Sequence, residues 1–232
     1  MFGSKLTGWD PNDNVYSTAT KISGPWSSWK GFADSGSKTY TSQTTFVLPF
    51  GDNAIYMGDR WVSGNLQRST YVWLPLTLSG TTASMKNAVN WVPNVGAGTT
   101  SSGPAEGSYE GEAGTLSGGA KSVSCSGCSG KNSAGYIGGD QSGAVLFNNV
   151  TSSVATRTTI RVKYLNGDKG ERFADVSVNG GPAQRVGFLG TAGNDPSSSS
   201  LNVDLKAGTN TIRIGGSGGW GPDVDRLMVP DS

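Results

Sequence analysis

The chain has 232 residues, with 18 Lys and Arg against 17 Asp and Glu, and a formal net charge of +1 at pH 7. This balance gives no reason to expect nucleic acid, a membrane or an acidic substrate as a partner. Histidine is absent, which excludes His-based triads, His general bases and His zinc sites. No stretch approaches the ~20 apolar residues of a membrane span. The 36 glycines favour an all-β chain of short strands joined by tight loops.

Residues 1–95 hold six of the seven tryptophans and show no helical periodicity. Gly51-Asp52-Asn53 between two strand-like runs predicts a β-hairpin. Pro75 predicts an edge strand or a bulge, because proline cannot donate to a strand ladder. Four strands amount to about one propeller blade, which cannot close alone, so we expect this region to belong to a larger propeller. The runs typical of strands are residues 15–22, 45–50, 54–58 and 71–78.

Residues 96–108, GAGTTSSGPAEGS, lack large apolar side chains and predict a flexible linker. Residues 109–232 alternate apolar and polar side chains more cleanly, with glycine-rich turns between the runs. Roughly eight strands of this length predict a β-sandwich of the jelly-roll type. The runs are residues 145–150, 159–164, 174–178, 201–205, 212–214 and 224–229.

Cys125 and Cys128 are the two cysteines and lie in a Gly/Ser loop. Two thiolates without histidine make a poor zinc site, so a local disulfide is the interpretation that the sequence favours. A glycosylation sequon at residues 149–151 is weak support for an extracellular protein. Residues 1–14 contain no signal peptide, so we expect a secreted protein whose sequence here is truncated at its N-terminus.

Four motifs of the second region resemble carbohydrate-binding modules of families 35 and 6, and family 35 fits better. They are YEGEA-G-TLSGGA at residues 109–120, GYIG at 135–138, YLNG at 164–167 and GWGPDVDRL at 219–227. The resemblance implies a structural calcium ion held by Glu110, Glu112 and Asp225. Glu110 and Glu112 would face the same side of a first strand, and Asp225 would lie on the last strand beside it. From spacing alone, three solvated surface acids remain an alternative.

The candidate sugar-binding residues lie in loops at strand ends, where binding residues gather. An aromatic ring covers the apolar face of a pyranose, and a carboxylate accepts from two adjacent hydroxyls. Trp220 is predicted to stack, and Asp223 is predicted to accept from the loop that follows Pro222. Core packing is the alternative for the aromatic residues, as is a solvated position for the arginine. The five candidates are Tyr136, Asp168, Arg172, Trp220 and Asp223.

The first region resembles the last part of a glycoside hydrolase family 43 five-bladed propeller, most closely that of exo-β-1,3-galactanases. The motifs are TSQTTF at residues 41–46, YMGDRW at 56–61 and STYVWLPL at 69–76. The resemblance implies that Gln43 faces an active site, although an ordinary strand glutamine is a rival interpretation. The general acid of that family is a glutamate from an earlier blade, and residues 1–95 contain no glutamate.

Three functions remain open at this point. The chain is expected to be the C-terminal part of an exo-β-1,3-galactanase whose module binds β-1,3-galactan, arabinogalactan side chains or another plant cell-wall polysaccharide. Alternatively, it is a lectin-like protein that binds sugar without turnover. A third possibility is a module attached to a different family 43 enzyme, such as an arabinofuranosidase or xylosidase. The missing glutamate predicts that this chain alone is inactive.

Overall fold

The structure, a computed structural model, describes residues 1–191, 193–216 and 218–231. The chain divides into two compact units, Met1–Gly103 and Pro104–Ser232. The boundary lies inside the segment predicted as a linker. Within the described residues, no helix is long and apolar enough to cross a membrane.

The first unit is built from short antiparallel strands. The elements are β1 (Phe2–Gly3), β2 (Val15–Tyr16), β3 (Lys30–Gly31), a helical turn α1 (Lys38–Thr41), β4 (Gln43–Phe50), β5 (Asn53–Arg60), a 3₁₀ turn (Leu66–Arg68), β6 (Thr70–Ser79), β7 (Thr82–Met85), β8 (Trp91–Asn94) and β9 (Thr99–Ser102). Strands β1, β2 and β3 form one sheet, β4 to β7 form a second in sequential order, and β8 pairs with β9.

The four-stranded sheet confirms the predicted hairpin, since Phe50 pairs with Asn53 across the Gly51-Asp52 turn. Strand β6 alternates as a half-buried strand should, with Val72, Leu74 and Leu76 in the core. Pro75 pairs with Ile55 of β5, whereas pairing with β7 starts only at Leu76. Pro75 therefore has a strand neighbour on one side only, which is where proline is tolerated.

The linker-like segment contains more regular structure than its composition predicts. Residues Thr99–Ser102 pair with Trp91–Asn94 as a hairpin, and Glu106–Glu110 forms the first strand of the second unit. Serine and threonine supply the same backbone donors and acceptors as any strand residue, so this pairing leaves no apolar signature in the sequence.

The second unit contains two antiparallel sheets. The strands are β10 (Glu106–Glu110), β11 (Thr115–Ser117), β12 (Lys121–Ser124), β13 (Asn132–Gly135), β14 (Ala144–Ser152), β15 (Thr156–Leu165), β16 (Arg172–Val178), β17 (Gln184–Phe188), β18 (Ser197–Leu205), β19 (Gly208–Gly215) and β20 (Asp223–Pro230), with a 3₁₀ turn at Ser129–Lys131. The first sheet has the order β12-β13-β20-β15-β18, with β10 also paired to β20, and the second has the order β11-β14-β19-β16-β17.

One apolar core lies between the two sheets. Val162 and Leu227 of the first sheet share it with Ile212 and Ile214 of the second, and all four are fully buried. The predicted β-sandwich is confirmed, with more strands than the eight expected. The strands that the pattern missed include β12 and β17, which are only four and five residues long.

A β-bulge interrupts β20 where the candidate residues lie. Tyr164 pairs with Val224, but the next residue back, Lys163, pairs with Arg226. Asp225 is therefore the extra residue of the bulge, and both Val224 and Leu227 can face the core. The side chain of Asp225 therefore does not follow the regular alternation of side chains along the strand.

Candidate functional site

Two aromatic side chains stand exposed at the end of the sandwich. Tyr136 is 46% exposed and Trp220 is 53% exposed, although both belong to residue types that usually pack in cores. Their rings meet edge to face with centroids 6.1 Å apart. They line a cleft of about 410 Å³ together with Val123, Ser124, Arg172, Gly221 and Asp223. The core-packing alternative is therefore wrong for both rings.

Asp223 forms the polar wall of this cleft. Burial raises the pKa of its carboxyl, and Arg172 and the backbone N–H of Tyr136 act in the opposite direction. Tyr136 has φ of +60°, a conformation that is unusual for a bulky residue. This strained backbone presents the Tyr136 ring to the cleft beside Asp223.

Arg172 is held in the cleft by two contacts. Its Nε donates to Oδ2 of Asp168 at 2.7 Å, and its Nη1 donates to the carbonyl of Gly221 at 3.1 Å. The Arg172 guanidinium holds the pKa of Asp168 below its usual value. Asp168 thus orients the arginine instead of lining the cleft.

Glycine at position 139 lets Trp220 lie close to the backbone. A Cβ at Gly139 would meet the Trp220 ring at 2.5 Å, and Gly139 has φ of +65°. The N–H of Gly139 donates to the carbonyl of Gly219 at 3.0 Å, which fixes the loop that carries the tryptophan. The Trp220 ring therefore packs against Gly139 on one side and is otherwise exposed to solvent.

Four of the five predicted sugar-site residues line the cleft, and the fifth, Asp168, contacts it only through Arg172. The structure corrects the position of Asp223, which is the first residue of β20 and pairs with Leu165 instead of lying in the loop. Val123 and Ser124 were missed, because a Lys-Ser-Val-Ser strand carries no signal of binding. Val123 and Ser124 reach the cleft because β12 pairs with β13, and β13 ends at Gly135, next to Tyr136.

The three predicted metal ligands also converge, around the turn that follows Cys128. Ser129 donates from its N–H to Oδ1 of Asp225 at 2.9 Å and from its hydroxyl to Oε1 of Glu110 at 2.8 Å. A Cβ at Gly130 would lie 2.6 Å from Oε1 of Glu112 and 3.7 Å from Oε2 of Glu110. One turn therefore contacts all three carboxylates.

The position of Glu112 differs from the prediction that it follows Glu110 on one strand. Strand β10 ends at Glu110, and Glu112 lies in the turn after it. The N–H of Gly111 donates to the carbonyl of Asp225 at 2.7 Å, which turns the chain there. The two glutamates reach the same turn through this bend, whereas Asp225 lies beside the first strand as predicted.

Several oxygens of these carboxylates lack partners. Oε2 of Glu110 and Oε2 of Glu112 are buried without a hydrogen bond, and Asp225 is only 1% exposed. Burial raises the pKa of Asp225, and the nearby Glu110 adds to this. Nε of Arg226 lies 3.7 Å from Oδ2 of Asp225, too far for a hydrogen bond. Within the described ranges, no group of three or more acidic or cysteine side chains is arranged so that it could hold a metal ion by itself.

Cys125 and Cys128 form the predicted disulfide, which closes the loop directly before Ser129. Both cysteines are buried. The backbone of the loop is tied further by hydrogen bonds from Cys125 N–H to the carbonyl of Lys131 at 2.9 Å and from Cys128 N–H to the carbonyl of Cys125 at 3.2 Å. The covalent loop thus fixes the start of the turn that contacts the carboxylates.

Comparison with known families agrees with this architecture. The family model described as carbohydrate binding module (family 35) matches residues 107–231. The chain belongs to carbohydrate-binding module family 35. The matched residues include both the aromatic cleft and the carboxylate turn of the family 35 module.

Solved structures extend the comparison to the first unit. The exo-beta-1,3-galactanase from Phanerochaete chrysosporium, determined with galactose and with beta-1,3-galactotriose, is 38% identical with a TM-score of 0.67, covering 98% of this chain and 53% of that chain. A family 35 module from Clostridium thermocellum is 33% identical with a TM-score of 0.49, covering 53% of this chain and 98% of that chain. None of the curated protein sequences compared with the chain matches it.

The chain therefore spans about half the length of the galactanase that it matches. Because that match covers nearly all of this chain, the predicted fold of a propeller part followed by a β-sandwich module is confirmed. The match does not extend to the activity of the whole galactanase, since this chain covers only 53% of its length.

Gln43, the predicted catalytic residue, lies at the start of β4 in the first unit. Its Nε2 donates to the carbonyls of Gly8 and Asp10, both at 2.9 Å, so the amide is held by the backbone of a neighbouring loop. Trp9 in that loop and Trp61 form an edge-to-face pair with centroids 4.9 Å apart, and both are exposed. Gln43 thus lies close to exposed aromatic side chains.

Gln43 follows a left-handed turn. The four residues of α1, Lys38 to Thr41, have φ between +50° and +62°. Such backbone costs about 1–2 kcal/mol for each non-glycine residue, so surrounding contacts must hold it. Buried Thr39 accepts from the N–H of Asn14 at 2.8 Å, and Oδ1 of Asn14 accepts from the N–H of Thr44 at 2.6 Å. These contacts hold the chain on both sides of Gln43.

Proposed function

We propose that the family 35 module binds the terminal sugar of a β-1,3-linked galactan, such as an arabinogalactan side chain. The observation that carries the proposal is the cleft in which exposed Trp220 and Tyr136 flank the partly buried carboxylate of Asp223. The similarity to a galactanase solved with galactose supports galactose as the sugar.

The chemistry of the cleft suits a pyranose. The open face of Trp220 covers the apolar C–H face of the ring, and such contacts contribute about 1 kcal/mol beyond their buried area. Ionised Asp223 accepts from two neighbouring hydroxyls, whereas Arg172 donates to a ring or hydroxyl oxygen. Arg172 is already fixed by Asp168 and the Gly221 carbonyl, so little side-chain entropy is lost on binding.

We also propose that Glu110, Glu112 and Asp225 hold a structural calcium ion. The buried, unpartnered oxygens of Glu110 and Glu112 support this, because calcium prefers carboxylate oxygens and would replace the missing partners. A bound calcium ion would supply positive charge among one buried and two partly buried acids and join the two chain ends of the module.

For the first unit, we propose that it is the last part of a secreted family 43 propeller in which Gln43 faces the substrate. The contacts that fix its Nε2 leave Oε1 as the acceptor able to orient a water or a sugar hydroxyl. Residues 1–95 lack the glutamate acid of that family, so this chain by itself acts as a binding protein.

Calorimetric titration of the full chain tests the binding proposal. Galactose and β-1,3-galactooligosaccharides are expected to bind, and xylooligosaccharides and uronic acids are not. Trp220→Ala should weaken galactose binding roughly tenfold, or about 1.4 kcal/mol, since it removes the stacking face. Trp29→Ala is the matched control, because Trp29 is equally exposed at 53% but lies in the other unit. Unchanged binding by Trp220→Ala contradicts the proposed site.

A further inference from the structure

A second cleft adjoins the proposed sugar site. It measures about 250 Å³ and is lined by Glu171, Phe173 and Arg185 together with Arg172 and Trp220. The last two residues also line the first cleft, so a single wall of side chains separates the two. The first cleft borders β12 of the first sheet, whereas the second borders β16 and β17 of the second sheet.

The second cleft has its own donors and acceptors. The guanidinium of Arg185 lies over the ring of Phe173, 4.5 Å from its centroid, which restricts an otherwise exposed side chain. The Glu171 carboxylate is packed close to Gly187, where a Cβ would lie 1.9 Å from its Oε1. Gly187 pairs with Phe173 across the two strands, so both charged groups are positioned by the β16–β17 ladder.

The shared wall is rigid. Arg172 is fixed by Asp168 and by the Gly221 carbonyl, and Trp220 rests on Gly139. A sugar stacked on Trp220 in the first cleft lies directly beside the second cleft, because Arg172 and Trp220 line both. The next residue of a bound chain is therefore within reach of the second cleft.

We propose that the second cleft is a subsite for the next sugar residue of the bound chain, so that the module recognises at least a disaccharide. Arg185 donates to hydroxyls of this second pyranose and Glu171 accepts from them, since a guanidinium has only donors and an ionised carboxylate only acceptors. The subsite rests on the proposed function, because it takes the residue linked to the terminal galactose.

Titration of the full chain with galactose and with β-1,3-galactobiose tests this subsite. The disaccharide should bind on the order of tenfold more tightly than galactose to the wild-type chain, equivalent to about 1.4 kcal/mol. Arg185→Ala and Glu171→Gln should each reduce this preference to near onefold and leave galactose binding unchanged. Arg157→Ala is the control, because Arg157 of β15 is an exposed arginine that pairs with Asp204 of β18.

Three results would overturn the subsite, and they can be told apart. Equal affinity of the wild-type chain for galactose and galactobiose shows that the second residue makes no contact. If Arg185→Ala and Glu171→Gln each weaken galactose and galactobiose binding by the same factor, Arg185 and Glu171 affect only the sugar in the first cleft. Absence of galactose binding in the wild-type chain removes the proposed function itself and the subsite with it.

Discussion

The backbone N–H of Ser129 donates to Oδ1 of Asp225 at 2.9 Å, joining positions 96 residues apart in the chain. The hydroxyl of the same serine donates to Glu110, near the other end of the module. Ser129 directly follows the disulfide-closed loop, so one turn connects the disulfide to the candidate calcium ligands. Two predictions depend on this connection.

Removal of calcium should destabilise the module. A ligand at 100 times its dissociation constant stabilises a fold by about 2.7 kcal/mol, so EDTA should lower the melting temperature of the module by several degrees. Differential scanning calorimetry with and without EDTA measures this. Glu112→Gln should melt lower than wild type in calcium and respond less to EDTA, whereas exposed Asp204→Asn should behave as wild type. An identical wild-type transition with and without EDTA would rule out the structural ion.

Opening the disulfide should weaken calcium binding more than it weakens the fold. In Cys125→Ser/Cys128→Ser the loop is free, so Ser129 no longer holds Asp225 and Glu110 in position before the metal arrives. Calcium titration by calorimetry should show an affinity on the order of tenfold lower. Ser126→Ala, a change in the same loop that keeps the disulfide, is the control. If the calcium affinity is the same with the disulfide intact and with it removed, the disulfide-closed loop does not contribute to calcium binding.

The sequence predicted the sandwich because its long strands bury one side each. Ile160, Val162 and Tyr164 alternate with polar neighbours and are buried in the structure as expected. The short strands could not be predicted in this way. Val123 and Ser124 reach the cleft because β12 pairs with β13, and this pairing depends on backbone hydrogen bonds instead of side-chain periodicity.

The candidate site was predictable by residue type more than by position. Trp220 in a glycine-rich loop is unusual enough to suggest an exposed ring without a structure. The environments of Asp223 and Asp225 were not predictable, because the β-bulge at Asp225 breaks the regular alternation of side chains along β20. Asp223 therefore borders the cleft while Asp225 reaches Ser129, although only one residue separates them.

Asp168→Asn should weaken galactose binding without removing any group from the cleft. Loss of the charged hydrogen bond at 2.7 Å frees the Arg172 side chain, which must then be ordered on binding. We expect a loss of roughly threefold to tenfold, with little change in stability because both partners of the pair are near solvent. Titration calorimetry measures the change. Asp175→Asn, on the strand β16 that begins at Arg172, is the control, and a loss larger than that of Arg172→Ala would place Asp168 in direct contact with the sugar.

The full 232-residue chain should release no galactose from β-1,3-galactan. Glycoside hydrolysis usually needs two carboxyl groups about the scissile bond, and several aspartates of the first unit already have structural partners. Asp13 accepts from the N–H groups of Gly36 and Lys38, and Asp34 pairs with Lys86. Chromatography of the reaction products after long incubation measures turnover. If the wild-type chain releases galactose and Gln43→Ala abolishes this release, the 232 residues of the chain suffice for catalysis and the prediction is wrong. Release that persists in Gln43→Ala would indicate a contaminating enzyme.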